Sequence, residues 1–312
     1  MLKHLVQTKD WSDFKNIYGT ISQNSGNCFY TLHRIPFLNR YYAYCPKVNV
    51  FDIDFEELVK TLISEKVIAI NFDSPDTYLD NPNSLQATKI FEDIGCVPAS
   101  KNTYPEATVI LDISKEPEKL LESFHTKHRY NLNLARKKNL EVTTQITPKT
   151  IEDFYYLQKT TSKRQGYIVK GKSYYETLIN TFNKKNKILL TTCYFEGNPI
   201  SSWLFIINND TAYYVYGGSD DNYKNLFPST LVLWESIINL KNEGVKTLDL
   251  FGACSDLSNE KDPYYGFTIF KLRFGGVHKK YIKSYDLILN PFLYFLFNIA
   301  QKIRWTVLKI LK

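Results

Sequence analysis

The sequence predicts a mixed α/β (α+β) protein built as two tandem units, each around a mixed, mostly antiparallel sheet. Three observations predict it. Short strand patterns alternate with helical ones over 28–112. The segment from 141 onward repeats that outline around a three-strand meander. Tight connections, Glu196-Gly197-Asn198-Pro199 and Asn208-Asn209-Asp210, join the meander strands. At 312 residues, 44% hydrophobic and 23% charged, the chain is long enough to bury two such cores.

The elements follow in order. Residues 1 to about 18 read as a short amphipathic helix with Trp11 and Lys15 four apart on one face. Residues 28–33 and 41–44 are strand-like, 55–64 is helical, 67–71 is a buried strand, and 83–93 is helical before Gly95. Asp73 follows the buried strand directly, where a sheet meets a loop, which suits a functional carboxylate. Asp before Ser-Pro is equally an ordinary turn former.

Residues 108–113 read as a strand, followed by one long helix. Ser114 is its expected N-cap, Glu116 and Glu118 lie in its first turn, and Arg136, Lys137 and Lys138 at its far end complete the charge order a helix dipole favours. Between Ser123 and Leu140 there is no acid, while Lys127, Arg129, Arg136, Lys137 and Lys138 make the strongest basic run in the chain. A solvated helix face explains such a run. With Tyr130 interleaved, so does a surface that reads an RNA backbone through its phosphates.

After a strand at 141–145, Thr147-Pro148 opens one helix and Ser173-x-x-Glu176 reads as a capping box for another. The meander occupies 188–195, 200–207 and 211–217. A helix from Pro228 to Gly244 places Leu231, Trp234, Ile238 and Lys241 at helical steps, and 245–250 is a short strand. Residues 267–274 alternate, so they read as a strand with Phe267, Ile269, Lys271 and Arg273 on one face. A lysine on a mostly apolar face either snorkels or meets an anion, because an unpaired buried ammonium is costly.

The order β-α-α-β-β-β-α-β-β is that of an acetyltransferase-like (GNAT) unit. An acetyl-CoA enzyme would carry a Gly-rich pyrophosphate loop before the helix that follows the meander. Asp220-Asp221-Asn222-Tyr223-Lys224-Asn225 stands there without glycine, so CoA is disfavoured.

These residues resemble the FemABX family, peptidyltransferases that add amino acids from aminoacyl-tRNA to peptidoglycan precursors. The resemblance rests on Tyr214-x-Tyr216-Gly217-Gly218-Ser219, the Trp234 helix, Asp249-x-Phe251-Gly252 and Phe270-Lys271. It extends to His128-Arg129-Tyr130, Arg164-x-Gly166-Tyr167, Lys170-x-x-x-Tyr174 and Gln7-x-x-x-Trp11-x-x-x-Lys15. It implies two acetyltransferase-like units, 1–106 joined by 282–312, and 107–281. It also implies an aminoacyltransferase forming an amide on the stem peptide of a UDP-linked or lipid-linked muropeptide precursor. Aminoacyl-tRNA is then the co-substrate, with no cofactor and no metal. Lys271 would supply positive charge at the RNA end or the oxyanion, with Phe270 beside it. Lys15, Lys170, Tyr174 and Tyr216 would hold the precursor's diphosphate and sugar. Asp73 is a candidate base near the acceptor. Lys170 departs from the arginine that better-known members carry, exchanging a planar fork for a point charge. The family's coiled-coil arm is absent, as in the compact, FemX-like members.

The net charge of +7 favours an anionic partner such as RNA, phosphate or a membrane surface. Five scattered cysteines without CxxC or ligand-spaced histidines suggest reduced thiols, and no signal-peptide pattern is present. A cytoplasmic chain is therefore expected. The tail, 290–312, combines Phe292, Phe295, Phe297, Ile299, Ile303, Val307 and Ile310 with Trp305 and four cations. It suits either a core helix or a helix lying peripherally on the inner face of the plasma membrane. Two other functions remain open: an acyl-CoA N-acyltransferase on the same fold, and a non-catalytic RNA or membrane-surface binding module.

Overall fold

The computed structural model describes residues 3–310, with the side chains of 305–310 outside the description; Trp305, Val307, Lys309, Ile310 and Lys312 of the tail fall there. The chain divides into two compact units, 1–106 with 280–312, and 107–279.

The first unit begins with α1 (Lys9–Ile17), capped by the Thr8 side chain. Then come β1 (Ser22–Ser25), β2 (Cys28–Arg34), β3 (Tyr41–Pro46), α2 (Phe55–Ser64), β4 (Val67–Asp73), α3 (Ser84–Asp93) and β5 (Val97–Pro98). Helix α2 forms where the sequence predicts it. The Asp54 carboxylate accepts the Glu57 N–H, Glu56 and Glu57 favour the positive N-terminus, and Leu58 and Leu62 face inward. Every residue of β4 is buried, as a mid-sheet strand requires, and its two polar residues are hydrogen-bonded, Asn71 to Asp286 and Asp73 to Tyr44.

The second unit contains β6 (Ala107–Asp112), α4 (Pro117–Ser123), α5 (Thr126–Ala135), β7 (Glu141–Thr143), α6 (Pro148–Gln165) and α7 (Lys172–Asn183). It continues with β8 (Ile188–Phe195), β9 (Asn198–Asn208), β10 (Thr211–Ser219), α8 (Pro228–Asn242), β11 (Thr247–Asp249), α9 (Tyr265–Leu272) and β12 (Val277–Lys280). The chain then returns to the first unit as β13 (Tyr285–Ile288) and α10 (Pro291–Ile310).

The first sheet has the order β1-β2-β3-β4-β13-β5, with β3 and β4 parallel. The second has the order β12-β6-β11-β10-β9-β8-β7, with β10 and β11 parallel and the meander antiparallel. Each therefore carries one helix-linked parallel pair inside an otherwise largely antiparallel sheet, through α2 and α8 respectively. Separate apolar clusters fill the two units, around Phe72 and Phe91 in the first and around Trp203, Trp234 and Phe274 in the second.

Several expectations are corrected. Residues 267–274 are not a strand. Phe267, Phe270, Lys271 and Phe274 recur at i, i+3, i+4 and i+7, and the segment folds as helix α9. The single helix expected after Ser114 is two, broken at Phe124–His125, and it starts at Pro117 with Glu116 as N-cap. Ser173 and Glu176 form no capping box. Gly171 is the N-cap of α7, and Lys172 reaches Glu152 and Glu176 instead. Helix α6 does carry a reciprocal box between Thr147 and Thr150, and ends on Gly166 at φ 72°.

Candidate active site

In the second unit the organising feature is Lys271. Helix α9 carries it inward until it is only 1% exposed. Its ammonium donates to the carbonyls of Phe251 and, at 2.6 Å, Gly252. The Phe267 ring centroid lies 3.9 Å from Nζ and that of Tyr214 lies 5.6 Å away, so the third N–H of the charged form meets an aromatic face.

Local sequence builds this niche. Phe251 and Gly252 both adopt positive φ, 51° and 45°, which turns consecutive carbonyls toward the lysine. Asp249, buried at the end of β11, holds that turn by accepting the Phe251 N–H at 2.7 Å and the Thr108 hydroxyl from β6. The Asp-x-Phe-Gly pattern is thus a loop that aims carbonyls. Burial pulls the Lys271 ammonium down to about 7, with Asp249 opposing the shift.

A second cluster gathers Lys170, Tyr174 and Tyr216. The Tyr174 and Tyr216 hydroxyls are 2.9 Å apart, and the exposed Lys170 ammonium lies 5.8 Å from the Tyr174 ring centroid. Burial, then the neighbouring Tyr174, pushes the Tyr216 hydroxyl well above its usual range, so it is a neutral hydrogen-bonding group. A bulge separates Tyr214 from Tyr216. Tyr214 pairs with Phe205 and Tyr216 with Leu204, so the two tyrosines face opposite sides of the sheet, one toward Lys271 and one toward α7. The following Gly218 is required by close approach, since a Cβ there would sit 2.5 Å from the Leu157 backbone of α6.

In the first unit, the Lys15 ammonium lies 5.4 Å from both the Trp11 and Phe14 ring centroids. Asp73 is fully buried. Its carboxylate accepts the Tyr44 hydroxyl at 2.6 Å, the Thr103 and Tyr104 N–H groups at 2.8 Å each, and the Ser284 hydroxyl at 3.0 Å.

A family model for the FemAB family matches residues 95–197 and again 194–302. The chain belongs to the FemAB family. Among curated relatives, a lipid II:glycine glycyltransferase of Staphylococcus epidermidis is 23% identical, the alignment covering 96% of this chain and 91% of the relative. One of the same description from Staphylococcus aureus is 22% identical, covering 93% and 89%. The crystal structure of FemX superposes with a TM-score of 0.79 at 19% identity, covering 95% of this chain and 94% of that one. A tandem GNAT protein from the clavulanic acid biosynthesis pathway reaches 0.52 at 10% identity. At these identities the superpositions carry the fold, which is that of FemX and of tandem acetyltransferase-like proteins.

Within this FemAB chain the remaining expected residues separate by environment. Phe270 is committed to packing, with ring centroids 5.1 Å from His128, 5.2 Å from Phe274 and 6.1 Å from Trp203. Arg129 binds the carbonyls of Glu122 and Phe124 and so closes the end of α4. Lys127, Arg136, Lys137 and Lys138 are exposed, but the helix break places Lys127 at the start of α5 and the other three beyond its end, about 14 Å along the axis. Arg136 also lies 5.6 Å from the Trp234 ring centroid. The sequence reading missed Thr108, which secures Asp249. Arg164, quoted there only within a motif, pairs with Asp221 at 2.8 Å while donating to the Ser219 carbonyl, tying α6 to the end of β10. For Thr108, a hydroxyl residue in a buried strand was the available signal.

Proposed function

We propose that this FemAB protein is an aminoacyltransferase that moves an amino acid from aminoacyl-tRNA to the stem-peptide amine of a lipid-linked peptidoglycan precursor. The observation that carries the reading is that relatives aligned over nearly the whole chain are lipid II:glycine glycyltransferases. In the reaction the acceptor amine attacks the ester carbonyl carbon. A C–N bond forms, the ester C–O bond breaks, and the proton lost by the amine ends on the departing ribose oxygen.

The geometry supports a division of labour. Lys271 is a positioning residue: it holds the 251–252 turn, and its charge, poised near neutrality, favours negative charge developing nearby. Lys170 with the Tyr174–Tyr216 pair offers one ammonium and two hydroxyls, a set suited to a phosphate and a sugar on the acceptor. Lys15 is a candidate phosphate contact in its own unit, and Lys127, Arg136, Lys137 and Lys138 are candidate contacts for the RNA backbone. Both Asp73 oxygens are already occupied, so we assign Asp73 to holding the 103–104 turn; no carboxylate base is invoked, and the substrates relay the proton themselves. No cofactor takes part.

The test offers radiolabelled glycine, alanine and serine on their tRNAs to lipid-linked and nucleotide-linked precursors, with acetyl-CoA as a parallel donor. Label on the lipid-linked precursor, lost in Lys271→Met, is expected. Transfer from acetyl-CoA alone, or no transfer from any tRNA, overturns the reading.

A further inference from the structure

Helix α10 has two different faces. On one, Tyr294 donates to the Asp286 carboxylate at 2.6 Å and Phe297 stacks on Tyr42 at 4.9 Å, fastening the helix to the first sheet. On the other, Phe292, Phe295, Leu296, Ile299 and Ile303 recur at i, i+3, i+4, i+7 and i+11, and all are exposed, Phe292 by 70%. Residues 287–312 contain no acid, while Lys302 and Arg304 accompany the stripe. Among the described residues no helix is long and apolar enough to cross a membrane.

An independent feature lies at the same sheet edge. Tyr42 pairs with Ala69, and Ala69 with Ile288, so the start of β3 is level with the end of β13, from which α10 departs. The β2–β3 hairpin therefore projects from that edge. At its tip Phe37 stands fully exposed with φ 65°, a conformation unfavourable for an aromatic residue, and Leu38 is exposed beside it. The turn before β4 reaches this edge too, since the Lys66 carbonyl accepts the Tyr41 N–H. Arg34 and Lys66 are exposed there, while Glu65 in that turn accepts the Tyr30 hydroxyl at 3.0 Å.

We infer that this edge of the first unit is a docking surface for an anionic lipid bilayer, with the α10 stripe lying in the interface plane and the Phe37 tip inserted beside it. Charge decides between a bilayer and a second copy of the chain. A two-fold contact through α10 would bring together two segments that carry cations and no acid, whereas anionic headgroups complement that charge. The inference stands on the unit's surface and does not depend on the transfer reaction.

Co-sedimentation of the full chain with phosphatidylcholine vesicles, with and without phosphatidylglycerol, tests it. Binding is expected only with phosphatidylglycerol, weakened by salt. Both Phe37→Asp and the double variant Phe292→Asp/Phe295→Asp are expected to reduce the partition coefficient about ten-fold each. Phe37→Asp lies at an exposed turn and keeps the test valid should the helix variant melt at lower temperature. No binding, equal binding to neutral vesicles, or unchanged binding by folded variants overturns the inference. So does a dimer in light scattering that the helix variant dissociates.

Discussion

Replacing Lys271 by methionine tests the central niche without any substrate. The folded chain holds this ammonium near 7 instead of 10.5, because burial outweighs the attraction of Asp249. Between those two values the unfolded chain carries a proton that the folded chain has shed, so stability rises with pH across the window. Below about 7 both states are charged, and the cost of burying the ammonium is fully present. Methionine neither titrates nor donates. At pH 9.5 the variant loses two hydrogen bonds to buried carbonyls, about 1–3 kcal/mol each. Near pH 7 part of that loss is offset because no charge is buried. The stability gap between wild type and variant should therefore widen by up to about 1.4 kcal/mol per pH unit, or roughly 2–3 kcal/mol between pH 7.5 and 9.5. Urea denaturation of both proteins at three pH values in that range measures it. A gap that stays constant with pH would refute the buried, down-shifted lysine and the role assigned to it.

Two further outcomes concern the framework around the candidate residues. Gly218→Ala should cost about 2–4 kcal/mol, because the new methyl meets the Leu157 backbone and α6 cannot recede from β10 without losing the Thr161 and Arg164 bonds to Ser219. A denaturation midpoint within error of wild type would count against that close approach. Asp73→Asn should cost about 3 kcal/mol or more, since an amide cannot accept from the hydroxyl and N–H donors converging on both oxygens. Its residual activity at low temperature should stay near wild type, and a folded but inactive Asp73→Asn would restore the base role.

Much of the fold was legible because local and global preferences agree. Helix α2 has its cap, acidic first turn and apolar face in register, and β4 opens on the apolar run Val67-Ile68-Ala69-Ile70. Helix α9 was misread because Phe267 to Phe274 satisfies two periods at once. Alternation of apolar and basic residues suggests a strand, while the aromatic set at i, i+3 and i+7 fits a helix, and packing of Phe270 and Phe274 on His128 selects the second. Strand β1, Ser-Gln-Asn-Ser, offers no hydrophobic period and forms only because β2 lies beside it. The opposed directions of Tyr214 and Tyr216 were also hidden, since a bulge inverts alternation without leaving a compositional mark. Lys271 drew attention as a cation in an apolar setting, but its partners turned out to be carbonyls of a left-handed turn, a backbone property that side-chain identity does not encode.

The place of β13 in the first sheet bears on how the protein is made. It lies between β4 and β5, in the interior of the sheet, yet it is supplied by residues 285–288, after the whole second unit has been synthesised. Residues 107–279 form an uninterrupted span that can fold as it leaves the ribosome, whereas the N-terminal 106 residues emerge first and must wait with an open slot beside β4. Nascent chains stalled before residue 285 would therefore leave β4 and β5 without the strand they share, so the first unit completes its sheet only after the second, although it is translated before it.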